Sequence, residues 1–111
     1  MQNAGVATFT RAEAEALLPR AKALLLDIQR RKASYDRRPS ELLARELGAL
    51  IGEVQALGAE IKDLDRGLVD FRSLLRGREV YLCWMLGEDD QHIAWWHELE
   101  GGFAGRRLIE D

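Results

Sequence analysis

Seven apolar residues set the main constraint on what this chain can fold into. Leu43, Leu47, Leu50, Val54, Leu57, Ile61 and Leu64 recur at steps of four and three. That spacing keeps one stripe on a helix and sustains it for three heptads of a coiled-coil seam. Upstream, Ala14, Leu17, Ala21, Leu24 and Ile28 repeat the same alternation. Thr10 and Glu13 stand at capping-box spacing, so the first helix is predicted to start there. Pro19 lacks a backbone donor and predicts a kink in its early turns. Between the two stripes lies Arg37-Arg38-Pro39-Ser40, a segment that suits a helix start and not a helix interior. The expectation is an antiparallel two-helix coiled-coil hairpin over residues 10–64, with arms of roughly 35–40 Å at ~1.5 Å per residue.

Such a hairpin needs another surface, because its seam alone buries too little to offset the entropy of ordering both arms. Gly48 and Gly52, with Ala56 and Ala59, form a stripe of small residues beside the seam. They fit either the close approach of a partner helix or a solvated face that tolerates glycine.

After residue 66 the period changes from 3.5 to two. Val80, Leu82, Trp84 and Leu86 alternate with Glu79, Tyr81, Cys83 and Met85. The segment "LGEDDQ" reads as a turn, and Ile93, Trp95, His97 and Leu99 then alternate with Ala94, Trp96 and Glu98. Together these predict a β-hairpin, with Gly67–Phe71 as a possible third strand. Both hairpin faces are largely apolar, so each should be covered, one by the helices and the other by a second protomer. The fold class expected is therefore α+β in a single domain over residues 1–111. The helical hairpin occupies 10–64 and a small antiparallel sheet occupies 67–111, with a homodimer as the favoured assembly.

Composition narrows the function classes. Apolar residues make up 47% and charged residues 32%, which suits a folded soluble chain. Cys83 is the only cysteine, so an intrachain disulfide is excluded and a cytoplasmic, reducing location is expected. Neither a signal-like run nor eighteen consecutive apolar residues occurs, so membrane insertion is not expected. Residues 1–62 carry ten Lys/Arg against eight Asp/Glu, whereas residues 63–111 carry six against eleven. A uniformly basic nucleic-acid binder does not fit that distribution. Arg30, Arg31, Lys32, Arg37 and Arg38 crowd the predicted helical tip, where a solvated basic surface is the plain interpretation.

The candidate chemistry lies in the second half. His97 and Glu98 are neighbours on a strand and point to opposite faces, so they do not form one metal or acid–base site. His97 is expected to bond a carboxylate, with Asp70 or Glu79 as donors of one, or a backbone carbonyl. Cys83 is expected to be buried and inert. Asp63, Asp65, Arg66, Asp70, Arg72, Arg78 and Glu79 form a mixed-sign cluster at the strand edges. It reads as a salt-bridged boundary or as a pocket whose arginine forks bind a carboxylate or phosphate. The glycines of Gly101–Arg106 could complete such a pocket by letting backbone N–H groups approach an anion. Asp70, Arg78, His97, Glu98 and Arg106 are accordingly the candidate ligand-binding residues. No metal ligand set is assigned from spacing, and the sequence leaves any cofactor open.

The blocks "FTRAEAEALLP", "KDLDRGLVDF", "GREVYLCWMLGE" and "WWHELEGGFAGR" resemble a prokaryotic family called domain of unknown function 2203. The resemblance spans nearly the whole chain, and its C-terminal blocks are the specific part. Its recurring residues fall here on Asp63, Gly67, Asp70, Phe71, Arg78, Tyr81, Cys83, Trp84, Glu88, Trp96, His97 and the Gly102–Arg106 run, among others. It implies no activity. Two functions remain in play: a non-enzymatic interaction or scaffold module acting as a homo-oligomer, and a small-anion or metal-binding protein, enzymatic or not.

Overall fold

The computed structural model describes residues 7–110; the ends of the expected 1–111 domain lie outside them. Three helices, α1 Arg11–Ala16, α2 Leu18–Arg37 and α3 Glu41–Ala56, precede a five-stranded sheet. The strands are β1 Ala59–Asp63, β2 Leu68–Leu75, β3 Arg78–Met85, β4 Trp95–Glu98 and β5 Arg107–Leu108. They pair antiparallel in chain order, which makes the sheet a meander. The class is α+β, as expected. No described helix is long and apolar enough to cross a membrane.

Local chemistry sets the helix ends. Thr10 and Glu13 form the reciprocal capping box, with Glu13 N donating to Thr10 Oγ1 at 3.1 Å and Thr10 N to Glu13 Oε1 at 2.8 Å. The Pro19 kink is a break at Leu17, and the proline sits in the first turn of α2, where no donor is needed. Ser40 caps α3 through Leu43 N. The second arm is shorter than its periodicity implies. Gly58 takes the left-handed backbone (φ 95°) and ends α3 at Ala56. Ile61 therefore belongs to β1 and Leu64 to the turn after it, so the hairpin stops well before residue 64. Leu57, Ile61 and Leu64 still pack on the core, which is why the heptad spacing runs on past the helix.

The core lies between α2 and one face of the sheet. From α2 come Leu18, Ala21, Leu24, Leu25 and Ile28; α3 buries only Val54. Val69 and Phe71 of β2 oppose Trp84 and Leu82 of β3 on the facing side. Trp84 is buried and its indole donates to the Asp89 carbonyl at 2.7 Å. The long β3–β4 connection is held by α1, where Glu15 Oε2 accepts from Ile93 N and Arg11 Nε donates to Ile93 O. The β2–β3 turn has two residues, and Arg76 (φ 53°) shares its left-handed backbone with Gly77 (φ 81°).

Candidate functional site

The side of the sheet turned away from the helices carries its polar chemistry. Strand register places it there. Asp70 of β2 pairs with Cys83 of β3, which pairs with Trp95 of β4; one row on, Arg72, Tyr81 and His97 align. Alternation then sends Asp70, Cys83 and His97 to one face, each on a different strand. All three are buried, at 2%, 1% and 2% exposure. Their donor atoms lie within 4.8 Å of one another.

Hydrogen bonds fix how this cluster is wired. His97 Nδ1 lies 2.6 Å from the Glu98 carbonyl, an acceptor, so Nδ1 carries a proton. His97 Nε2 lies 3.0 Å from Asp70 Oδ2, and a second proton joins these two atoms. The expected partner of His97 is thus found twice over, as a carboxylate and a backbone carbonyl. Asp70 Oδ1 is buried with no hydrogen-bond partner among the described residues. Burial first, then the nearby Asp70 charge, pushes the Cys83 thiol up to about 12, with Arg106 pulling weakly the other way.

In this wiring His97 is not placed as a base for the Cys83 thiol. A nucleophilic thiol needs a base nitrogen to take its proton. Both ring nitrogens of His97 are already engaged, and the thiol is held far above neutrality.

A charged roof closes the cluster. The Tyr81 ring lies between Lys62 Nζ (4.3 Å) and the Arg72 guanidinium (5.2 Å). Its hydroxyl donates to Glu60 Oε1 at 2.8 Å and accepts from Arg72 Nη2 at 3.0 Å. Lys62 Nζ is 3.8 Å from Asp70 Oδ2. Burial opposes the Lys62 charge, but Glu60, Tyr81 and Asp70 outweigh it and raise its pKa. Beside this roof, Arg106 is pinned by Glu88 at 2.8 Å and packs on Trp95 and Phe103. The helix-free face is thus covered over the cluster by the chain's own side chains.

Three N–H groups of the glycine segment are used within the chain and not for an anion. Gly101 N, Gly105 N and Arg106 N donate to Glu98, Gly102 and Phe103 carbonyls in successive turns. A Cβ at Gly101 would make only ordinary contact with the His97 Cβ, at 3.6 Å, so close approach does not require glycine there.

The five candidate residues divide between two places. Asp70 and His97 bond directly, with Arg106 beside Cys83 (Nη2 to carbonyl, 3.5 Å). Arg78 and Glu98 pair with each other at 2.9 Å, on the opposite side of the sheet. There Arg78 lines a groove of about 470 Å³ together with Leu75, Arg76, Trp96, Arg107, Leu108, Ile109 and Glu110. The Trp96 ring is its aromatic wall, with Arg107 at 5.4 Å and Arg78 at 5.9 Å. Among the described residues, no carboxylate lies within ion-pairing distance of Arg76 or Arg107.

The remaining mixed-sign residues pair separately: Asp63 with Arg66, Asp65 with Lys32 of α2, Arg72 with Glu79. They do not converge on one pocket. At the helical tip, Arg30, Arg31 and Lys32 pair with Asp27, Glu46 and Asp36. Trp96, Arg76 and Arg107 were not singled out from sequence as binding residues, nor was Cys83 grouped with His97. Parity within one strand is legible, but register between strands is not.

A family model described as an uncharacterized conserved protein, DUF2203, matches residues 36–109. No curated protein and no solved structure matches.

Proposed function

The chain belongs to the DUF2203 family, and we propose that it is a non-enzymatic binding module that takes a small organic anion at the Trp96 groove. The observation that carries this is Trp96 with two guanidiniums over its ring, in a groove of about 470 Å³. That volume lies within the ~300–1,000 Å³ common for small-molecule sites. Arg107, held on the aromatic face, offers its N–H edge to a carboxylate or phosphate, while Arg78 is fixed beside it by its pair with Glu98. Leu75, Leu108 and Ile109 offer the flat or apolar body of the ligand an apolar wall. Arg76 supports the same reading: a non-glycine residue at φ 53° is unfavourable, and such backbone is kept where a side chain is needed.

The test is isothermal titration with ATP, with benzoate and with inorganic phosphate. Saturable binding of at least one organic anion is expected, weakened about 10-fold by Arg107→Ala, the value of one charged hydrogen bond. Arg76→Gly should weaken it similarly while raising stability by about 0.5–1 kcal/mol, because glycine suits the turn. Absence of saturable binding to either organic anion, or equal binding by both variants, would sink the proposal.

Self-association is a second proposal, favoured by α3. Only Val54 of that helix is buried, and Leu42 is 62% exposed. A homodimer through this helical face would cover it, and a single buried thiol suits the cytoplasm.

A further inference from the structure

We propose that Asp70, Cys83 and His97 bind a divalent transition-metal ion of the zinc class. The site lies on the opposite side of the sheet from the groove and does not depend on that proposal.

Three features of the cluster carry the inference. Each of three adjacent strands supplies one donor, an oxygen, a sulfur and an imidazole nitrogen, all within 4.8 Å. A tetrahedral zinc ion, with bonds of about 2.0–2.3 Å, needs its donors about 3.3–3.7 Å apart, so only a modest contraction is required. Second, His97 Nδ1 is tied to the Glu98 carbonyl at 2.6 Å, which leaves Nε2 aimed into the cluster. A ligating histidine is normally oriented by such a bond from its other nitrogen. Third, Asp70 Oδ1 is buried without a hydrogen-bond partner among the described residues. A buried carboxylate oxygen left unpaired is costly, and a cation relieves it.

Charge balance favours the exchange. Before binding, the Asp70–His97 pair and the neutral thiol sum to zero. Afterwards a divalent ion, a carboxylate, a thiolate and a neutral imidazole also sum to zero. Two protons leave, one from the Cys83 sulfur and one from between Nε2 and Oδ2. A buried site thus passes from one neutral arrangement to another, which a low-dielectric setting tolerates. The groups around it are Glu60 and Lys62 on β1, Arg72 on β2, Tyr81 on β3 and Arg106; Lys62, 37% exposed, can swing outward as the ion enters. Mixed sulfur, nitrogen and oxygen donors suit zinc better than magnesium or calcium. Because the donors lie beneath the Tyr81 roof and the glycine segment, the ion would tie β2, β3 and β4 together.

The test uses untagged, chelator-stripped full-length protein titrated anaerobically with Co²⁺ and then Zn²⁺. A thiolate-to-cobalt charge-transfer band saturating at one ion per chain is expected, with two protons released in weak buffer and loss of the band on adding Zn²⁺. Cys83→Ser should abolish the band while far-UV circular dichroism stays native. Asp70→Asn removes a charged ligand and should weaken binding by at least ~100-fold, beyond what loss of an outer-shell partner costs. The native-protein titration decides the matter even if the variants unfold. Folded native protein without the band at saturating Co²⁺, or with only weak binding typical of surface carboxylates, overturns the proposal, as does a band that survives in Cys83→Ser.

Discussion

At the residue scale, Cys83 links structure to pH. Its folded thiol is raised to about 12, above the ~8.5 of a free cysteine. The folded state therefore holds the proton more tightly than the unfolded chain does. The stabilisation is fully present below about pH 8.5 and is lost as pH rises towards 12. Denaturant titrations across that window should show Cys83 contributing a loss of up to ~1.4 kcal/mol per pH unit. Cys83→Ser should flatten the slope; an unchanged slope would mean the thiol titrates normally. The burial of Cys83 was legible in the sequence, since it sits mid-strand among bulky neighbours. Its proximity to Asp70 and His97 was not, because these residues lie 13 and 14 positions apart with no local motif.

At the element scale, glycines separate positions where a side chain is forbidden from positions where it is free. Gly58 has φ 95°, and a Cβ there would run into the Phe9 ring. Gly58→Ala should cost about 1–3 kcal/mol in chemical denaturation. Gly48 and Gly52 lie in α3 with open space where a Cβ would go. Alanine at either should stabilise the folded chain by about 0.5–1 kcal/mol. If both helix substitutions destabilise instead, something outside the single chain packs closely against that stripe. The heptad spacing identified α3 but not its end. Gly58 carries the stop signal, and the apolar spacing passes over it because Ile61 and Leu64 face the same core from a strand and a turn.

At the scale of the whole molecule, the uneven burial of the two arms leads to a prediction about assembly. The α2 helix buries five residues and α3 one. Size-exclusion chromatography with light scattering should find a dimer, and Leu42→Glu should shift it to monomer without loss of helicity. A monomer at every accessible concentration would count against self-association. The sheet face that sequence alternation assigned to a partner is covered over its buried cluster by Lys62, Arg72, Tyr81 and Arg106. Alternation marks a residue as covered but does not say by what.

The sequence by itself determined the α+β class, the capping of α1, an interruption of the first helix near Pro19 and the facing of alternate strand residues. Each depends on contacts within a few residues, where period and cap chemistry suffice. Only the tertiary structure decided which strands are neighbours and in what register. That choice joined Asp70 to His97 and Cys83, and it sent Arg78, paired with Glu98, to the Trp96 groove instead. Register follows from turn geometry and the fit of the whole core, so no short stretch of sequence contains it.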